Sequence, residues 1–196
     1  MFTGIIEELG EVIFISVEGE NKHFSIKSSL TNELKIDQSL AHNGVCLTVV
    51  SIDNDIYTVT AIKETLEKSN VGGLCVGNKV NLERAMLANG RFDGHVVQGH
   101  VDQVANCVGL MEEEGSWVYT FQYEPKENIT VEKGSITVNG VSLTVVNSKS
   151  NEFSVCIIPY TKKHTTFNTL KVGDSVNLEF DIIGKYVQKI LSPQKK

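Results

Sequence analysis

Hydrophobic and polar residues alternate with a period of two in short runs broken by Gly, Asn and Asp. That pattern predicts strands joined by tight turns. In the first half the runs fall at Ile5–Val17, His23–Ser28, Ser39–His42, Val45–Ile52, Ile56–Ala61 and Lys79–Leu82. In the second they fall at Val96–Leu110, Trp117–Tyr123, Ser135–Val138, Val141–Ser148, Glu152–Ile157 and Ser175–Glu179. Short helical turns are expected at Ser29–Glu33, Lys63–Ser69 and Pro125–Ile129. The period changes at the C-terminal end, where Ile182, Ile183, Tyr186, Val187, Ile190 and Leu191 form an apolar stripe on a helix that Pro193 stops. So short a helix is marginal alone and needs a partner surface. Its own barrel and the same helix from other subunits are the two candidates.

The clearest alternation follows Asn43-Gly44 and Asn139-Gly140, and Asn-Gly is the strongest short-range hairpin signal because both residues accept positive φ. Val45, Leu47 and Val49 share one face and Cys46 and Thr48 the other; Val141, Leu143 and Val145 lie opposite Ser142 and Thr144 in the same way. The two stretches are copies. Ala41–Val50 and Thr137–Val146 are identical at seven of ten positions, at an offset of 96. Val76–Glu83 recurs as Val172–Glu179 at the same offset, with six of eight positions identical. Gly4-Ile5-Ile6-Glu7 faces Gly99-His100-Val101-Asp102 at an offset of 95. A period this long, occurring twice, is the duplication of a whole small domain and not a solenoid repeat. The expected domains are 1–88 and 89–184, with a helix and tail at 185–196.

Composition narrows the function. The chain has 196 residues, 41% hydrophobic and 21% charged, with a net charge of -6, which is ordinary for a globular protein. The acidic balance argues against nucleic-acid or anionic-membrane partners, and no apolar run approaches the roughly 20 residues of a spanning helix. The first residues lack the basic and apolar regions of a signal peptide. Cys46, Cys75, Cys107 and Cys156 are scattered without a Cys-x-x-Cys pair. A reduced, cytoplasmic chain is the simplest expectation.

Candidate chemistry is sparse. His95 and His100, five apart with no Glu or Cys pair beside them, do not make a metal motif. Gly94 and Gly99 suggest bulges or a close backbone approach. His100, which stands where the first repeat has Ile5, is open to acid–base work or to a structural role. Cys46 reads either as an inert thiol or as a ligand contact, and Ser142 and Thr144 as strand residues or ligand contacts. Lys63 and Glu64 read more readily as surface charges. The duplication adds weight to a site: two matching pockets suit two similar ligands. The halves differ at Cys46/Ser142, Ile5/His100, Glu64/Tyr160 and Asp37/Lys133, as a reaction between a donor and an acceptor requires.

Several stretches resemble the riboflavin synthase family (alpha chain). They are Met-Phe-Thr-Gly-Ile at the start, His-Asn-Gly-Val-Cys-Leu-Thr-Val at 42–49, Lys-Glu-Thr-Leu at 63–66 and Asn-Leu-Glu-Arg-Ala at 81–85. Gly-His-Val-Val-Gln-Gly-His-Val-Asp at 94–102, Asn-Gly-Val-Ser-Leu-Thr-Val at 139–145 and Ile-Pro-Tyr-Thr at 158–161 extend the likeness over the whole chain. The resemblance implies an all-β fold of two tandem six-stranded antiparallel Greek-key barrels plus a C-terminal α-helix. It also implies a homotrimer with active sites between subunits, and association with a lumazine synthase as a further partner. The implied substrate is 6,7-dimethyl-8-ribityllumazine, two molecules of which dismutate to riboflavin and 5-amino-6-ribitylamino-2,4-pyrimidinedione without metal or cofactor. By motif, the first pocket is Gly4, Ile5, Ile6, Cys46, Leu47 and Thr48 with Thr60, Ala61, Ile62, Lys63, Glu64 and Thr65. The second is Gly99, His100, Val101, Lys133, Ser142, Leu143 and Thr144 with Cys156, Ile157, Ile158, Pro159, Tyr160 and Thr161. Phe2, Ser39, Cys46, His100, Ser142 and Thr144 match positions implicated in catalysis. Asn139 stands where family members carry Asp, so no carboxylate role carries over there. The rivals are a non-catalytic lumazine- or flavin-binding antenna protein, and a protein-interaction module.

Overall fold

The computed structural model describes residues 1–125 and 128–192. Two closed six-stranded antiparallel barrels follow one another along the chain. The first is built from β1 (Glu8–Glu18), β2 (Asn21–Lys27), β3 (Ser39–His42), β4 (Val45–Asp53), β5 (Ile56–Ala61) and β6 (Lys79–Arg84). Its strands close in the order β1-β2-β5-β4-β3-β6. The second uses β7 (Gln103–Glu113), β8 (Ser116–Tyr123), β9 (Ser135–Val138), β10 (Val141–Val146), β11 (Glu152–Ile157) and β12 (Ser175–Phe180), in the same cyclic order. Closure removes the unpaired edges that a six-stranded sheet would otherwise expose.

The alternation predicted the faces. Val45, Leu47 and Val49 are buried while Thr48 and Val50 are exposed; Asn43 and Asn139 have φ 46, and Gly44 and Gly140 φ 81 and 80, as primed hairpin turns demand. The first core is largely aliphatic around Phe24 and Tyr57. The second is aromatic, with Tyr119, Phe121, Tyr123, Phe153, Phe167 and Phe180 packed together, and the Tyr119 ring meets Phe167 edge-on at 5.1 Å.

Two predicted strands begin too early. Residues 5–7 and 96–102 lie outside β1 and β7. Glu83 takes the Gly4 N–H, Glu179 takes those of Gln98–His100, and Val97 bridges to Phe2 instead of joining the β7 ladder. Helix α1 (Lys63–Lys68) falls where a helical turn was expected, and a five-residue 3-10 turn covers Ser29–Glu33. Helix α2 (Pro159–His164) was not anticipated: six residues are too few for a periodic signal, and Pro159 at its first turn is the one local cue. The turn expected at Pro125–Ile129 includes residues 126 and 127, which lie outside the described residues, as does Pro193.

The barrels meet through their duplicated hairpins. A Cβ on Gly44 would come within 2.8 Å of the Gly140 nitrogen, and one on Gly140 within 2.6 Å of the Gly44 nitrogen, so only glycine permits the approach. Four asparagines bind the joint reciprocally. Asn81 Nδ2 donates to the Asn139 carbonyl and Asn177 Nδ2 to the Asn43 carbonyl, at 2.8 and 2.9 Å. The Asn43 and Asn139 side chains accept from the Asn81 and Asn177 backbone N–H, both at 2.8 Å.

The C-terminal helix α3 spans Ile182–Leu191, beginning before residue 185, and Asp181 caps it by accepting from the Ile183 N–H at 2.9 Å. Lys185 ties it to Asp102 of the second barrel at 2.6 Å. None of its residues is buried, and Ile183, Tyr186, Val187, Ile190 and Leu191 are exposed. Its apolar stripe is therefore not covered by its own barrel. Among the described residues no helix is long and apolar enough to cross a membrane.

Candidate active site

Cys46, Thr48 and Thr60 lie on the outer face of β4–β5, and Ser142, Thr144 and Cys156 on that of β10–β11. Leu47, Ala61 and Ile157, on the opposite face of the same strands, are buried in the barrel cores. The β4–β5 ladder runs from Asp53↔Ile56 to Val49↔Val59 and goes no further; that of β10–β11 covers Val146↔Ser154 and Val145↔Val155. Beyond these pairs the ladders stop, so Cys46–Thr48 and Thr60–Ile62, and Ser142–Thr144 and Cys156–Ile158, flank a gap in each ladder. Backbone groups that a continued ladder would pair border that gap. Ser39 sits opposite Thr48 on β3. Helices α1 and α2 start at the far lip of each gap, behind the exposed Ile62 and Ile158.

The structure exchanges the two glycine loops relative to the motif-based grouping. The Ser142 N–H donates to the Gly4 carbonyl, and the Cys46 N–H to the Gly99 carbonyl, each at 2.8 Å. Ile6 packs on the core of the second barrel and Val101 on that of the first. Thus Gly4, Ile5 and Ile6 belong beside Ser142, and Gly99, His100 and Val101 beside Cys46. Both glycines have φ near +80, and a Cβ on Gly99 would lie 2.6 Å from Cys46 Cβ, one on Gly4 2.5 Å from Ser142 Cβ. Close approach, not a bulge, accounts for Gly94 as well: its Cβ would collide with the Thr3 carbonyl oxygen.

Two duplicated carboxylates hold these loops. Glu83, at the end of β6, accepts from the Thr3 N–H at 2.6 Å, the Thr3 hydroxyl at 2.9 Å and the Gly4 N–H at 2.9 Å. Glu179, at the end of β12, accepts from the N–H groups of Gln98, Gly99 and His100 at 2.6, 2.9 and 2.9 Å. Burial pushes both carboxyls above their ordinary range, and the N–H donors pull against it.

His95, weighed above only as a metal ligand, takes a different place. Its Nδ1 lies 2.7 Å from Ser142 Oγ and its Nε2 3.3 Å from Thr137 Oγ1. Burial holds His95 below the ordinary imidazole range, against a raising influence from Asp181. With its proton on Nε2, the neutral ring accepts a hydrogen bond from the Ser142 hydroxyl at Nδ1. Its sequence signal is the Gly-His-Val-Val-Gln-Gly-His motif at 94–100.

Other predicted residues sit differently. Phe2 does not reach either outer face: it is fully buried with Ala41 and Val97, its ring against Gly99. Lys63 pairs with Glu20, and Glu64 with Lys68 at 2.9 Å, both on the surface. Lys133 is exposed at a positive-φ turn before β9. Tyr160 stacks on His164 with centroids 4.2 Å apart, and Lys162 covers the Trp117 ring at 3.8 Å. Asn139 turns its oxygen to Asn177 and Asn70 in the joint between barrels. The exposed Ile5 lines a groove of about 940 Å³ with Asp37, Gln38, Glu83, Arg84 and Met86.

The lumazine binding domain model matches twice, at residues 3–85 and 98–181. Riboflavin synthase from Actinobacillus pleuropneumoniae is 42% identical over 97% of this chain and 90% of its own. That from Bacillus subtilis is 41% identical over the same shares. The chain belongs to the riboflavin synthase family of enzymes. Among solved structures, LumP complexed with riboflavin superposes with a TM-score of 0.84 at 26% identity, over 92% of this chain and 99% of that one. LumP complexed with 6,7-dimethyl-8-(1'-D-ribityl) lumazine gives 0.83 at 24%, over 91% and 98%. The family's domain thus occurs twice in the chain, and the identity to these riboflavin synthases exceeds that to LumP.

Proposed function

We propose that the chain catalyses the riboflavin synthase dismutation. Two molecules of 6,7-dimethyl-8-ribityllumazine react, one giving a four-carbon unit to the other, to yield riboflavin and 5-amino-6-ribitylamino-2,4-pyrimidinedione. The observation that carries this reading is the paired outer-face site whose halves match in backbone and differ in chemistry. One half holds Ser142 with a neutral histidine on its hydroxyl; the other holds Cys46 and the loop of His100.

The chemistry asks little of the protein beyond this. The lumazine C7 methyl is acidic because the ring delocalises the carbanion, so a modest base suffices. Ser142 and His95 remove that proton from one ring, while Cys46 and His100 face C7 of its partner. Holding two rings in register supplies the larger share of the acceleration, up to roughly 7–11 kcal/mol for well-oriented reactants. Strand-borne hydroxyls and backbone groups suit that task because their positions are fixed by the barrels.

Each gap is open in a single chain: Thr48, Ile62, Thr144 and Ile158 are exposed. A homotrimer assembled through the exposed stripe of α3, in which the first barrel of one subunit covers the second barrel of the next, closes both gaps and brings the two ligands face to face. Incubating the purified chain with 6,7-dimethyl-8-ribityllumazine tests the reading: one riboflavin should form for every two lumazines consumed. Binding without product would instead indicate an antenna protein of the LumP kind, and no binding an interaction module.

A further inference from the structure

We propose that Glu83 and Glu179 are crosswise positioning residues, each belonging to one barrel and setting the backbone geometry of the ligand site on the other. The inference rests on the two-site reading above and goes beyond it. Glu83 belongs to the first barrel, yet the Thr3–Gly4 backbone it grips delivers the Gly4 carbonyl to Ser142 of the second. Glu179 belongs to the second barrel, and the Gln98–His100 backbone it grips delivers the Gly99 carbonyl to Cys46 of the first.

The physical case has three parts. Both side chains are almost wholly buried, at 5% and 3% exposure, and burying a carboxylate is costly unless it is well partnered. The partners in both copies are chiefly backbone N–H groups of a positive-φ glycine loop, and an ionised carboxylate is an acceptor at every lone pair. A glutamine of the same shape would turn an NH₂ toward N–H donors and could satisfy only part of the set. Finally, the carbonyl on the far side of each loop sits 2.8 Å from the N–H of Ser142 or Cys46, so a displaced loop moves the residues at the mouth of the opposite gap. Neither half-site is therefore a property of one barrel.

The chain carries its own reporters. Cys46 borders the gap of the first barrel and Cys156 that of the second; Cys75 is exposed elsewhere and Cys107 is buried. Alkylation by iodoacetamide, mapped by peptide mass spectrometry during a riboflavin titration of the full chain, reads the two gaps separately. In E179Q the riboflavin concentration that half-protects Cys46 should rise at least tenfold, with Cys156 within twofold of wild type. In E83Q the pattern should reverse. Equal shifts at both cysteines, a shift confined to the same-barrel cysteine, or no shift overturns the proposal. E83D and E179D, which keep the charge and shorten the reach, should fall between wild type and the Gln variants. Alkylation of Cys107 without ligand in every variant would make the carboxylates purely structural and would also overturn it. If riboflavin protects neither Cys46 nor Cys156 in the wild type, the two-site reading itself fails, a result distinct from unshifted protection in the variants.

Discussion

His42 and Tyr57 give the first barrel an acid-sensitive core that the second lacks. His42 is fully buried; with Nδ1–H donating to the Leu40 carbonyl at 3.1 Å, its Nε2 accepts from the Tyr57 hydroxyl at 2.8 Å. Burial lowers its pKa from 6.5 to about 4. A base whose pKa is depressed by folding stabilises the native state above its unfolded pKa, and that stability is lost as pH falls, because the unfolded chain takes up the proton first. The window runs from 6.5 down to about 4. Linkage over that interval gives about 3 kcal/mol in total, of which about 2 kcal/mol is lost between pH 7 and pH 5. The 96-residue offset supplies the control: the second barrel has the fully buried Val138 and Phe153 at these positions. Replacing both polar partners together avoids stranding either one. Urea unfolding followed by far-ultraviolet circular dichroism, at one protein concentration and at pH 7 and 5, should therefore show wild type losing about 2 kcal/mol more than His42→Val/Tyr57→Phe. The remaining titratable groups are common to both chains and cancel in the comparison. Equal losses would refute the assignment of the acid sensitivity to His42.

Three further outcomes are expected. Ser142→Ala and His95→Gln should each lower kcat by about 10²–10⁴-fold, the range for a positioned acid–base group. The acid limb of the wild-type rate should have its midpoint below pH 6.5, since burial lowers the pKa of His95 and keeps it neutral into mild acid; an unchanged rate in His95→Gln excludes it as the base. Gly99→Ala forces a Cβ to 2.6 Å from Cys46 Cβ at φ +81, which should cost about 1–3 kcal/mol of stability by overpacking and raise KM; a thermal melt and steady-state kinetics read both. Asn139→Asp keeps the oxygen that accepts from Asn177 and Asn70. Its turnover should stay within about threefold of wild type, because the side chain lies in the joint between barrels; a tenfold gain in a rate assay would reinstate a catalytic role.

What the residues alone fixed is local or repeated. Asn43-Gly44 and Asn139-Gly140 specify primed turns through backbone sterics, and the alternation after each turn separates core from outer face, so the strands and the polar pairs were legible. The doubling of Val76–Glu83 and Ala41–Val50 made two barrels the natural reading. Tertiary structure decided the rest. Which barrel each glycine loop serves depends on contacts between residues far apart in the chain: Gly99 with Cys46, Gly4 with Ser142. An aligned repeat pairs each loop with its own copy's strand and so predicts the wrong partner. The His95–Ser142 contact spans 47 residues and the carboxylate grips on the loops span 79 to 81. Periodicity reports which side of a strand is dry, because burial acts on each residue in turn. It carries no record of which distant backbone group will occupy a donor left over when a ladder stops, and the site is built from those leftover donors.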